Sequence, residues 1–252
     1  MKRNSVSEKI LERGAESLKD WESGNVTLDD CLEQLRNENG HEKSAVASLL
    51  FEYFRHKGFI DSLIQKYARK GNVKQEMRVI VACTLTQALF QTGIASQSAV
   101  NIAVDYVKQR YGQGPGAFIN AIMRSILSSK DVKSIPAFSF PEALREKWLK
   151  QFGKETTAEI LSFYASNPLI SFRVRGEISA EKLEEVKASR ITADDLPSGF
   201  QFYQTADPGA FFQQNWLENG TVYVQDPATS LALSLLDGEV SGRVLDACAA
   251  PG

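Results

Sequence analysis

The 252-residue chain is 43% apolar and 24% charged, an ordinary globular balance with enough material for real cores. It contains no run near the roughly 18 apolar residues of a membrane span, and its opening residues, MKRNSVSEKI, lack a signal peptide's apolar stretch, so a cytoplasmic protein is expected. Three scattered cysteines (Cys31, Cys83, Cys248) and two histidines (His41, His56) exclude a disulfide framework and argue against a Cys/His metal cage.

From Ser5 to about Ser128 the apolar residues recur at helical spacing. Ser5 with Glu8 forms a capping-box pattern ahead of Ile10, Leu11, Leu18 and Trp21, and Thr27 with Asp30 opens a second helix carrying Leu28, Leu32 and Leu35. A longer helix bears Val46, Leu49, Leu50, Tyr53 and Phe54 and is expected to break at Gly58, with Ile60, Leu63, Ile64 and Tyr67 in the next one. Met77, Val81, Leu85 and Leu89 mark another. Val100, Val104, Val107 and Tyr111 form one further stripe, and Phe118, Ile122, Met123 and Ile126 the last. The expectation is an all-helical bundle of about seven helices over residues 1–130.

Residues 131–140 lack periodicity and read as a linker. Residues 141–220 read as a small α+β segment: Pro141 starts a helix with Leu144, Trp148 and Phe152, and Thr156 with Glu159 caps a second, which Asn167-Pro168 stops. Leu169–Arg175 alternates as a strand, Ser179 opens a helix through Leu183 and Val186, and Phe200–Tyr203 is a short strand. Residues 221–252 change character again. Thr221–Val224 is strand-like, Asp226-Pro227 caps a helix with Leu231, Leu235 and Leu236, and Arg243–Asp246 is a buried-type strand running into a turn of very small residues, Cys248 to Gly252. Small side chains after a strand let backbone approach a nucleotide-like ligand.

The net charge of −2 conceals an asymmetry. Residues 1–132 carry 18 Lys+Arg against 15 Asp+Glu, and residues 133–252 carry 11 against 16. Arg55, Lys57, Lys66, Arg69, Lys70, Lys74 and Arg78 stand against only Asp61 and Glu76, a local excess of +5. Such a stretch either tracks phosphates or is a solvated helix face. Arg173 and Arg175 alternate with Phe172 and Val174, so both leave one strand face, toward RNA or toward surface ion pairs.

Four segments, in order, resemble one family. GAFINAIMRSIL (116–127) is similar to the signature that closes NusB-like domains, with Ile119 and Met123 as mild departures, and NPLISFRVR (167–175) resembles an RNA-binding element in which Arg175 replaces the usual Asn. VQDPATSLALSLL and VLDACAAPG resemble the segment before the methyl-donor motif and that motif itself in RNA cytosine-5 methyltransferases. The chain looks like the front portion of the bacterial small-subunit ribosomal RNA methyltransferases with an N-terminal NusB-like domain. The resemblance implies a multidomain order: an all-α NusB-like bundle, an α+β RNA-positioning segment, and the truncated start of a Rossmann-like α/β methyltransferase domain. It also implies S-adenosylmethionine over Cys248, Ala249, Ala250, Pro251 and Gly252, and RNA, in particular small-subunit ribosomal RNA, as partner. The family's catalytic cysteine motifs follow the donor motif and are not in these 252 residues, so no catalytic residue is assigned and the chain alone is expected to be inactive. Cys31, Cys83 and Cys248 read as packing residues.

Two other readings compete. A non-catalytic NusB-like module acting in RNA binding or transcription antitermination would have no use for a donor turn. A helical interaction protein would not need the basic stretch or the Arg173/Arg175 pair.

Overall fold

A computed structural model describes residues 5–37, 40–68, 73–133, 140–192, 196, 199–231, 242, 243 and 245. The chain divides into two units, residues 1–165 and 166–252.

The first unit opens with α1 (Val6–Glu22) and α2 (Leu28–Gln34), and both begin with the capping boxes expected at Ser5/Glu8 and Thr27/Asp30. Next comes α3 (Gly40–Tyr67), 28 residues without a break. The interruption expected at Gly58 does not occur, so two expected helices are one. An interior glycine costs a helix about 1 kcal/mol, whereas Tyr53, Phe59, Ile60, Leu63 and Ile64 on either side are all buried. Each buried side chain contributes about 1.5–3 kcal/mol, which outweighs the glycine.

Helices α4 (Gln75–Phe90), α5 (Ser96–Tyr111) and α6 (Gln113–Leu127) complete the bundle. Helix α4 packs against α1, α3, α5 and α6, and residues 79–87 are buried without interruption. That encirclement explains why this segment is apolar on every side rather than on one stripe. Its buried Thr84 and Thr86 donate their hydroxyls to the carbonyls of Ile80 and Ala82, one turn back. Cys31 and Cys83 are both buried free thiols in this core, as packing residues would be.

Helix α7 (Glu142–Ala165) starts one residue later than expected: the Pro141 carbonyl accepts from the amides of Leu144 and Arg145, so the proline precedes the helix. Its two halves meet at Gly153, with φ 77° and ψ 179°, and not at the expected Thr156 cap. Glycine is the residue for which that positive φ carries no steric penalty.

The second unit is a four-stranded antiparallel sheet in the order β2-β3-β1-β4, formed by β1 (Ile170–Val174), β2 (Ser189–Ile191), β3 (Gln201–Thr205) and β4 (Val222–Val224). Helix α8 (Ala180–Glu185), capped by Ser179 as expected, links β1 to β2, and α9 (Pro208–Phe212) links β3 to β4. Phe172, Val186, Phe211, Trp216 and Val222 form the core, so both helices cover the Phe172 face of the sheet. The strand at Val222–Val224 was expected to begin the methyltransferase domain, but it is hydrogen-bonded to β1 and belongs to this sheet.

Asp226 accepts from the Ala228 amide and caps a short 3-10 turn (Pro227–Ser230), in keeping with the Asp-Pro cap. Of the strand expected at Arg243–Asp246, the described residues Arg243 and Leu245 lie in no strand, and Leu245 is 87% exposed. A buried-type strand needs partners for its backbone groups, and no strand among the described residues pairs with it.

Candidate nucleic-acid interface

Two groups of cations were singled out by the sequence, and the fold treats them differently. In the first, Arg55 pairs with Glu52 at 2.6 Å one turn back on α3, and only 17% of its side chain is exposed. Lys57 reaches Asp61 at 2.5 Å and lies 5.6 Å from the centre of the Trp21 ring. Arg78 of α4 bonds Asp61 at 2.7 Å and also contacts the Glu22 carboxylate at the end of α1, and partial burial lowers its affinity for the proton. Tyr53, fully buried, donates its hydroxyl to the same Asp61 at 3.3 Å.

Lys66 sits 2.6 Å from Asp131, which also accepts from the Tyr67 hydroxyl at 2.8 Å. These two hydrogen bonds hold the Asp131 carboxyl below the ordinary carboxylate range, and the bond to Asp131 raises the Lys66 ammonium. Lys74 stands exposed just before α4, with no ion pair among the described residues. Arg69 and Lys70 lie outside the described residues. Glu22, Glu52 and Asp131 therefore offset much of the +5 counted along the sequence, and all three of these acids lie outside the 55–78 window.

The second group lies on the sheet. Phe172 is buried on one face, so its neighbours Arg173 and Arg175 leave the other, as alternation requires. Arg173 is in register with Phe202 of β3 and Tyr223 of β4. Its guanidinium carbon lies 5.0 Å from the centre of the Phe200 ring and 5.6 Å from that of Tyr223. Cations over aromatic faces are held by the ring quadrupole, and that orients the guanidinium. The Arg173 Nε is buried and takes no hydrogen bond among the described residues. Arg175 is exposed and donates from Nη1 to the Tyr223 hydroxyl at 3.0 Å. Neither arginine has a carboxylate within ion-pair distance among the described residues.

Sequence reasoning found both arginines and missed the aromatic members, Phe200 and Tyr223. In the sequence each reads only as part of a strand. The signal was present in Val222-Tyr223, since alternation puts the tyrosine on the face opposite the buried valine. The remaining site residues, Cys248, Ala249, Ala250, Pro251 and Gly252, lie outside the described residues. Among the described residues no group of three or more metal-ligating side chains comes together, and no helix is long and apolar enough to cross a membrane.

Residues 11–128 match the NusB family. The chain is similar to a probable ribosomal RNA small subunit methyltransferase B of Synechocystis sp., at 25% identity over 222 residues, covering 81% of this chain and 49% of that protein. A protein of the same description from Bacillus subtilis is 24% identical over 268 residues, covering 100% of this chain and 59% of the relative. The chain thus spans about half the length of these relatives. The transcription antitermination protein NusB of Thermodesulfovibrio yellowstonii is 30% identical over 92 residues, 35% of this chain and 61% of that protein. The crystal structure of a protein named PH0851 shares the fold at a TM-score of 0.52 and 17% identity, covering 91% of this chain and 55% of that one.

Proposed function

We propose that this chain, which carries a NusB-family domain and is related along its length to ribosomal RNA small subunit methyltransferase B proteins, is the RNA-recognition part of an S-adenosylmethionine-dependent ribosomal RNA (cytosine-5) methyltransferase. One observation carries this reading. Similarity to the Bacillus subtilis relative covers the whole chain, through the sheet and beyond it, whereas similarity to the antitermination protein covers 35%. A module that only binds RNA has no need of the second unit or of a donor turn after it.

In this reading the work of residues 1–252 is binding rather than chemistry. A thiol must ionise to attack a pyrimidine. Cys83 is fully buried, with burial pushing its thiol far above the ordinary value, and Cys31 is buried and shifted the same way. Neither is assigned as nucleophile, and the chain alone is taken to be inactive. The main contact with the RNA backbone is assigned to Arg173 and Arg175, whose charge is not offset by a nearby carboxylate among the described residues. Lys74, with Arg69 and Lys70, makes a second contact, while Arg55, Lys57, Lys66 and Arg78 spend their charge within the bundle. Cys248–Gly252 would hold S-adenosylmethionine, which supplies the methyl group when bound. The protein would act in the cytoplasm, on small-subunit ribosomal RNA.

Deleting the encoding gene and mapping 5-methylcytosine in small-subunit ribosomal RNA by bisulfite sequencing tests the reading. Loss of a modified cytosine, restored by the gene, is the expected result. An unchanged map together with reduced read-through of a terminator reporter would favour antitermination, the second reading that the 92-residue similarity supports.

A further inference from the structure

The Arg173 face of the sheet is covered at Phe202, which is fully buried, and is exposed toward the β4 edge. Tyr223 is 40% exposed on β4, an edge strand with no further strand beside it among the described residues. Phe200 flanks Arg173 on the other side, and the fully buried Phe202 supports the Phe200 ring edge-on at 6.3 Å between centroids. Antiparallel sheets commonly turn a polar face to water. Here the exposed edge offers the Tyr223 ring, braced by guanidinium groups.

We propose that this face binds an unpaired RNA nucleotide, with the base stacked on the Tyr223 ring and the phosphate held by Arg175. The inference rests on the chain being an RNA-recognition part, and it adds the class of RNA: single-stranded rather than duplex. Three features carry it. First, every base has a π-face that stacks on an aromatic ring, but in a duplex those faces are covered by neighbouring bases, so an exposed ring rewards only an unstacked nucleotide. Second, the ring is held in place before any ligand arrives. Arg173 packs between it and Phe200, and Arg175 donates to its hydroxyl at 3.0 Å, so little side-chain freedom remains to be lost on binding. Third, Arg175 is exposed beside the ring without a carboxylate partner among the described residues, within reach of a phosphate joined to a base on Tyr223. Besides the backbone contact assigned to it above, Arg173 positions the ring.

Fluorescence anisotropy with the 252-residue chain tests the proposal, using a labelled unstructured 12-nucleotide RNA and, separately, a labelled 12-base-pair RNA duplex at one fixed salt concentration. The single strand should bind more tightly than the duplex. Tyr223→Leu should weaken the single strand by about tenfold, the effect of losing one base–ring stack, and should leave duplex binding unchanged. Tyr223→Phe keeps the ring and should retain most of the single-strand affinity, and thermal melting should show both variants folded. Equal binding of the two RNAs, an equal loss on both with Tyr223→Leu, or no loss on either would overturn the stacking site while leaving RNA recognition standing. Failure of the chain to bind either RNA would overturn both. Should Tyr223→Leu not fold, loss of single-strand binding in Tyr223→Phe as well would show that the ring face is not what binds.

Discussion

Arg173 and Tyr223 are paired across β1 and β4, and the guanidinium of one lies 5.6 Å from the ring centre of the other. With Phe200 on its far side, the arginine is held between two rings, with no carboxylate partner among the described residues. Each cation–ring contact at a partly exposed site contributes about 0.5–1 kcal/mol. Arg173→Ala should therefore destabilise the second unit by about 1 kcal/mol in urea unfolding and also weaken RNA binding. A stability loss of this size with unchanged RNA affinity would assign the residue to structure alone.

Gly14 of α1 leaves the space that Leu49 of α3 fills. A methyl group at position 14 would lie 2.5 Å from the Leu49 Cδ2 atom, and Leu49 is fully buried. Alanine would gain about 1 kcal/mol of helix propensity, while overpacking a close-packed core costs typically about 1–3 kcal/mol. The clash should win, and Gly14→Ala should lower stability by about 1 kcal/mol. In a double-mutant cycle, Gly14→Ala should cost less in a Leu49→Ala background, where the space is free. Additive effects would show that the contact is relieved at no cost.

Gly58 is exposed in the middle of α3 and takes helical backbone like its neighbours. Gly58→Ala should raise stability by about 0.5–1 kcal/mol through helix propensity. A lower melting temperature in the variant would mean that the glycine serves a close approach.

His56 stacks flat on Phe90, with ring centres 3.7 Å apart and an interplanar angle of 5°, and its Nδ1 has no hydrogen-bond partner among the described residues. Burial pushes the imidazole below its ordinary value and Arg55 adds to this, while Glu52, 3.6 Å from Nε2, works the other way. The unfolded chain thus takes up the proton first as pH falls. The folded state's advantage is complete above the unfolded value of about 6.5 and is lost as pH drops through it. Between pH 8 and pH 5 the protein should lose more melting temperature than His56→Phe, which keeps the stack and removes the titration. Parallel pH profiles would show that His56 carries none of this dependence.

The sequence by itself was enough to locate most elements. Capping pairs at Ser5/Glu8, Thr27/Asp30 and Ser179 are local hydrogen-bond chemistry, written in residues three apart, and period-two alternation around Phe172 put Arg173 and Arg175 on one strand face. Likewise, the ordered motifs indicated a NusB-like domain followed by methyltransferase-related segments, in agreement with the NusB match over residues 11–128 and the relatives aligned along the chain. Tertiary structure decided what depends on contacts distant in sequence. Burial on both sides carried α3 through Gly58, and pairing with β1 drew Val222–Val224 into the four-stranded sheet. Charge shows the difference most plainly. A count over residues 55–78 cannot include Glu22 or Asp131, yet folding brings those carboxylates onto Arg78 and Lys66, while Arg173 and Arg175 meet Phe200 and Tyr223 instead. A run of charge in sequence is a sum over neighbours along the chain, whereas the field a ligand meets is a sum over neighbours in space.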